Sequence, residues 1–196
     1  MAASGRTPGV AADSQTGFSE IAGCISGADN LLISVVVDES LSLRETDPRA
    51  LRVQGITTAI DSLEQLTETV QGSTNVEISM STFARSYSIL SDWKKLTAKT
   101  AADLRSQAAR ELPGRDTGDA TDYRQALLGA QQQLDARQRQ LRDPNACKLL
   151  LRFTDGELDV DEATSTAARE LCQTGCIADT LRDGGISVVA LALFTT

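Results

Sequence analysis

The chain has 196 residues and a formal charge of −8, from 27 acidic and 19 basic side chains. That length is enough for one domain with a sizeable core, and the negative balance argues against nucleic acid or anionic lipid as the main partner, because phosphate binding needs a basic face. Histidine is absent, which removes the Ser-His-Asp triad, the commonest general base and most zinc sites.

The opening stretch, MAASGRTPGVAADSQTG, is small and polar and lacks the apolar core of an export signal. Residues 1–28 read as a flexible lead-in to a single domain over 29–196. LLISVVV, residues 31–37, is a continuous apolar run, the pattern of a strand buried on both faces in a parallel sheet. It ends on Asp38, Glu39, Ser40 and Ser42. A helix is expected next, capped by Thr46 or Asp47 with Pro48 in its first turn. Its buried face is Leu51, Ile56, Ile60, Leu63, Leu66 and Val70.

NVEISMSTFA alternates Val76, Ile78, Met80 and Thr82 with Glu77, Ser79 and Ser81, which predicts a half-exposed strand. SYSILSDW follows a tight break and is expected to hairpin back as an edge strand. Residues 97–112 read as a helix stopped by Pro113 and Gly114, and residues 122–142 as another with Tyr123, Ala126, Leu127, Ala130, Leu134 and Leu141 on one face. CKLLLRF is a strand that again ends on polar residues, TDGELD. Residues 161–183 read as helical with a break near Gly175, DGG as a C-cap and turn, and ISVVALALF as the last strand. The longest apolar runs, about seven residues, are too short to span a bilayer, so this segment inserts in no membrane as a helix.

Strands alternating with helices imply a doubly wound, mainly parallel α/β sheet with one antiparallel edge strand. Such sheets bind ligands at the carboxyl ends of their strands. DESLS and TDGE both lie at strand carboxyl ends, and GDATDY runs into a helix N-terminus, so three distant segments meet on one rim. For DESLS alone, turn formation is the better reading, since Asp and Ser favour turns. The three segments together favour a site for something that binds oxygen. Asp38, Ser40 and Ser42 alternate and can face one side, and carboxylates and hydroxyls are hard ligands suited to Mg²⁺.

These residues resemble the von Willebrand factor A domain family. The matching pieces are Asp38, Ser40 and Ser42 in DESLS, Thr121 in GDATDYRQAL and Asp155 in FTDG, in the family's order and covering about residues 30–194. Leu41 stands where the family usually has glycine, and Asp119-Ala120 where it has Gly-Gly. The resemblance implies a metal-ion-dependent adhesion site for Mg²⁺ or Mn²⁺. Ser40, Ser42 and Thr121 would bind the ion directly, with Asp38 and Asp155 holding coordinated waters. A partner protein's Asp or Glu would complete the shell. Of the other acids, Asp116 and Asp119 read as loop solvation and Asp122 as a first-turn helix residue.

The implied function is a protein-binding or adhesion module without catalytic residues. An alternative is an intracellular A domain that recruits substrates to an ATPase motor. A hydrolase on a similar sheet is the weakest reading. Aspartate-nucleophile phosphatases want a second Asp two residues after the first, where this chain has Ser40, and no G-x-S-x-G elbow or P-loop is present. The family ordinarily continues with a further helix and a sixth strand, which implies that the domain is truncated after its last strand or that another chain covers that edge.

The cysteines, Cys24, Cys147, Cys172 and Cys176, do not have zinc-site spacing. Four allow three full pairings, and the sequence does not choose among them. Cys24 and Cys147 each precede an apolar strand, where a plain buried thiol is usual, while the even count also permits two disulfides. A softer similarity to actinobacterial secreted proteins with A domains implies an extracytoplasmic location with disulfides, the alternative being the cytoplasm.

Overall fold

The LLISVVV run forms the centre of β1 (Asn30–Asp38), which is buried from Leu31 to Asp38 because strands flank both its edges and helices cover both its faces. A computed structural model describes residues 12–69, 74–154 and 177–192. The other strands are β2 (Asn75–Phe83), β3 (Tyr87–Lys95), β4 (Cys147–Thr154) and β5 (Ile186–Ala192). They make one sheet in the order β3-β2-β1-β4-β5. β1 runs parallel to β2 and β4, and β4 parallel to β5, while β3 pairs antiparallel with β2 as the expected hairpin.

The helices are α1 (Ala12–Gly27), the short α2 (Leu43–Thr46), α3 (Leu51–Thr69), α4 (Ala98–Glu111), α5 (Tyr123–Leu141) and α6 (Ile177–Asp183). One side of β1, Leu31, Ile33, Val35 and Val37, joins a core with Ile56 and Ile60 of α3 and Ala101 and Leu104 of α4. The other side, Leu32 and Val36, packs with Tyr123, Ala126, Ala130 and Leu134 of α5 and Leu181 of α6. The carboxyl ends of β1, β2 and β4 therefore share one rim, as the sequence predicts.

Four local expectations are corrected. Residues 12–27 are helical rather than a flexible lead-in: Ile21, Cys24 and Ile25, at three- and four-residue spacing, pack on the α3 side of the core, and Cys24 is disulfide-bonded to Cys147 at the start of β4. The long helix starts at Leu51, not Pro48. Ala50 takes a left-handed φ of 52°, and Asp47 caps from outside, accepting from the Leu51 and Arg52 amides at 2.6 and 3.1 Å. Leu51 is exposed, so the buried face begins at Ile56. β2 is buried on both faces, because its polar residues lie under α5: Ser81 donates to Gln133 and Glu77 accepts from Arg137. Among the described residues β5 has β4 as its one strand neighbour, and Val188 and Leu191 are exposed.

Candidate metal centre

Asp38 is the last residue of β1 and is almost wholly buried. Its Oδ1 accepts from the backbone amide of Ser40 at 2.9 Å, a turn in which an Asp side chain bonds the backbone two residues on. Its Oδ2 accepts from the hydroxyl of Thr154, the last residue of β4, also at 2.9 Å. Turn formation and ligand presentation are thus compatible here, because the turn fixes the carboxylate and brings Ser40 over it. Ser40 is buried, and its Oγ lies 3.0 Å from that of Ser42. Ser42 precedes α2 yet makes no side-chain cap, which leaves its hydroxyl to meet Ser40 at the rim.

Thr121 arrives on the loop between α4 and α5. It is fully buried, and its Oγ1 has no hydrogen-bond partner among the described residues. A buried orphan hydroxyl costs about 1–3 kcal/mol and asks for a ligand or water. Ser79, Thr82 and Ser91 also lack a partner among the described residues but lie within strands, whereas Thr121 stands on the rim loop. The loop is fixed at both ends. Gly118 pairs with Ser40 as a parallel bridge, and the Asp122 amide donates to the Ala84 carbonyl at 2.9 Å. Asp122 caps α5 through the Gln125 amide at 3.0 Å, one position earlier than the first-turn role expected of it.

The acids around the rim are paired with arginines. Glu39 accepts from Arg115 at 3.0 Å, Asp119 from Arg85 at 3.1 Å, and Asp116 lies 3.5 Å from Arg44. The Arg85 hydrogen bond also holds the Asp119 carboxyl below its usual pKa. The Asp119–Arg85 pair is mostly exposed, in keeping with the loop solvation expected of Asp119, while Glu39 and Asp116 are the less exposed partners of their pairs at the site's edge. Below the site, Arg152 lies over the Tyr123 ring, 4.3 Å from its centroid. Burial draws its pKa down, and the Asp38 carboxylate opposes that shift.

Four of the five ligand positions read from the sequence, Asp38, Ser40, Ser42 and Thr121, thus come from loops that are bonded to one another. Asp155 lies outside the described residues, as do Glu157, Cys172 and Cys176. Sequence reasoning missed Thr154, Tyr123, Gly118 and Arg52. Arg52 is buried and donates to Asp47 at 2.9 Å, to the Leu112 carbonyl at 2.9 Å and to the Arg115 carbonyl at 3.2 Å, bracing the start of the Thr121 loop. Among the described residues no group of three or more Cys, Asp or Glu is placed to hold a metal. The donor set is mainly hydroxyl, with Asp38 its one described carboxylate, so a count of acids does not reveal it.

A model of the von Willebrand factor type A domain matches residues 33–157, spanning the DESLS strand, the Thr121 loop and FTDG. The chain belongs to the von Willebrand factor type A domain family. No curated protein matches the chain in sequence, but solved structures share its fold. Manganese-loaded TRAP protein of Plasmodium vivax has a TM-score of 0.58 at 15% identity, over 85% of this chain and 58% of that one. Proximal thread matrix protein 1 from the mussel byssus, with a zinc-occupied MIDAS motif, has 0.57 at 17%, over 84% and 38%. The conserved hypothetical protein BatB of Bacteroides thetaiotaomicron has 0.54 at 16%, over 83% and 66%. The chain thus spans less than two thirds of each of these three chains. The observed sheet, mainly parallel with β3 as the antiparallel edge, is that of a type A domain.

Proposed function

We propose that this type A domain is a metal-dependent protein-binding module, with Ser40, Ser42 and Thr121 as direct ligands of Mg²⁺ or Mn²⁺ and Asp38 and Asp155 holding its coordinated waters. The observation that carries the reading is Thr121, a buried hydroxyl with no hydrogen-bond partner among the described residues, at the strand-end rim on a loop bonded to the serine loop. The donor chemistry fits, because carboxylate and hydroxyl oxygens suit these hard ions. Two solved structures of this fold, one manganese-loaded and one with a zinc-occupied MIDAS motif, support a divalent ion here. Neutral hydroxyls leave such an ion under-neutralised, and its chemistry here is to accept a carboxylate oxygen from a partner's Asp or Glu. The chain's own part is to orient the oxygens and fix Asp38, with no catalytic group required.

The Cys24–Cys147 disulfide supports an extracytoplasmic setting, since disulfides persist in oxidising compartments. It weighs against the reading as a cytoplasmic recruiter for an ATPase. Calorimetric titration of Mn²⁺ into metal-stripped protein tests the site. Wild type should bind, and Asp155→Ala and Thr121→Ala should lose most of the affinity while staying folded. A Thr121→Ala variant with wild-type affinity contradicts the ligand set. A partner retained equally in EDTA and by Ser40→Ala contradicts the binding mode.

A further inference from the structure

Resting on that metal reading, we infer that Gly118 is a positioning residue that zips the two ligand loops together before any ion arrives. The serine loop and the Thr121 loop are distant in sequence, yet they form a short ladder. The Leu41 amide donates to the Gly118 carbonyl at 2.8 Å, and the Gly118 amide donates to the Glu39 carbonyl at 3.0 Å. A third strand end joins them, since the Glu39 amide donates to Phe83 and the Asp122 amide to Ala84, both at 2.9 Å. The ladder brackets Ser40 on one side and stands three residues before Thr121 on the other. Relative placement of the two hydroxyls is thus set by backbone bonds that need no metal.

This close approach is what requires glycine. A Cβ at Gly118 would overlap the Cβ of Ala84 and lie 2.9 Å from the Glu39 carbonyl oxygen. The neighbours are backbone and a methyl group, neither of which can swing aside as a long side chain would. Gly118 is not among the glycines with positive φ, so the constraint is steric and not conformational. Neither the serine motif nor Thr121 reveals it, because it depends on where Ala84 lies. The consequence is preorganisation: the ion meets oxygens already in place, and little ordering cost is left to the binding step.

The test is Mn²⁺ calorimetry on the full chain, with circular dichroism on each metal-free variant. Gly118→Ala should bind at least about tenfold more weakly than wild type while keeping its secondary structure. Adding Ala84→Gly removes one of the two obstructing atoms and should recover part of that loss, which ties the effect to this close approach, while the circular dichroism separates it from a loss of fold. In metal-free wild type, hydrogen exchange should find the Leu41 and Gly118 amides protected, a measurement that does not depend on any variant folding. Wild type that takes up no Mn²⁺ defeats the metal reading itself. Wild-type binding matched by Gly118→Ala, or rapid exchange at both amides in EDTA, overturns the positioning role alone.

Discussion

The hydroxyl of Thr154 donates to Oδ2 of Asp38 at 2.9 Å, and the hydroxyl of Tyr123 lies 2.8 Å from the same threonine oxygen. A threonine hydroxyl carries one proton. With that proton on Asp38, Tyr123 must donate to Thr154, so the polarity runs from α5 through β4 to the end of β1. With Ser40 on Oδ1, both carboxylate oxygens are oriented. Thr154→Val keeps the shape and removes the donor. Loss of such an outer partner typically weakens metal binding by about 10–100-fold, and that is the expected result by calorimetry. Tyr123→Phe, one bond further out, should cost less. Thr154→Val with unchanged affinity would show that Asp38 needs no help from β4.

Arg52 and Asp47 form a buried ion pair, each side chain about 2% exposed. Arg52 also holds two carbonyls that lead into the Thr121 loop. Arg52→Ala leaves the Asp47 carboxylate buried without its cation, and breaking such pairs typically costs about 3–5 kcal/mol. Denaturant unfolding of metal-free protein should show a loss of that order. Arg52→Ala together with Asp47→Asn should be less damaging than the sum of the single variants. Strict additivity would mean that the two side chains are not energetically coupled.

What the sequence disclosed follows from how local each signal is. The LLISVVV run announces a central strand, because burial on both faces demands continuous apolar residues. Asp38, Ser40 and Ser42 are readable because alternation and a strand end put them on one rim. β2 was misread because Ser79 and Ser81 look like an exposed face, whereas small serines lie under α5 and Ser81 meets Gln133. α1 departs from the lead-in expected of it because, among its described side chains, Ile21, Cys24 and Ile25 pack against the core from a stretch rich in small and polar residues. Thr154 and Gly118 stand in the polar segments TDGE and GDATDY, but their roles, like that of Arg52, carry no sequence signal, because each acts on a partner at least 60 residues away that only the fold brings near.

The Cys24–Cys147 disulfide closes a loop of 123 residues. Chain-entropy reasoning assigns a loop of about 100 residues roughly 4.7 kcal/mol, and measured losses in small secreted domains are about 2–5 kcal/mol. Cys24→Ser with Cys147→Ser should lower stability within that range and free α1 from the start of β4. Denaturant unfolding checks the energy, and limited proteolysis before residue 28 checks the helix. Thiol labelling of unreduced protein supplies an independent test. Modification of Cys24 or Cys147 in denatured, unreduced protein would favour the buried-thiol reading over the disulfide.

Glu77 sits on β2 beneath α5, accepting from Arg137 at 2.6 and 2.9 Å. The Arg137 hydrogen bond is the main cause holding its pKa below the ordinary 4.5, with burial opposing it and Asn75 assisting. A carboxyl whose pKa is lower in the folded state binds its proton more tightly when unfolded. Its stabilising contribution is therefore fully present above about pH 4.5 and is lost as the pH falls through the lower, folded value. Glu77→Gln cannot titrate and should be less stable than wild type at neutral pH, by about 1–2 kcal/mol for a partly screened, bidentate pair. On acidification the wild type should lose stability relative to the variant, so that the gap narrows below about pH 4.5. Thermal unfolding of both proteins between about pH 7 and pH 3 measures this directly. A gap that stays constant through that range would mean that the ionised form of Glu77 gives β2 and α5 no net stabilisation.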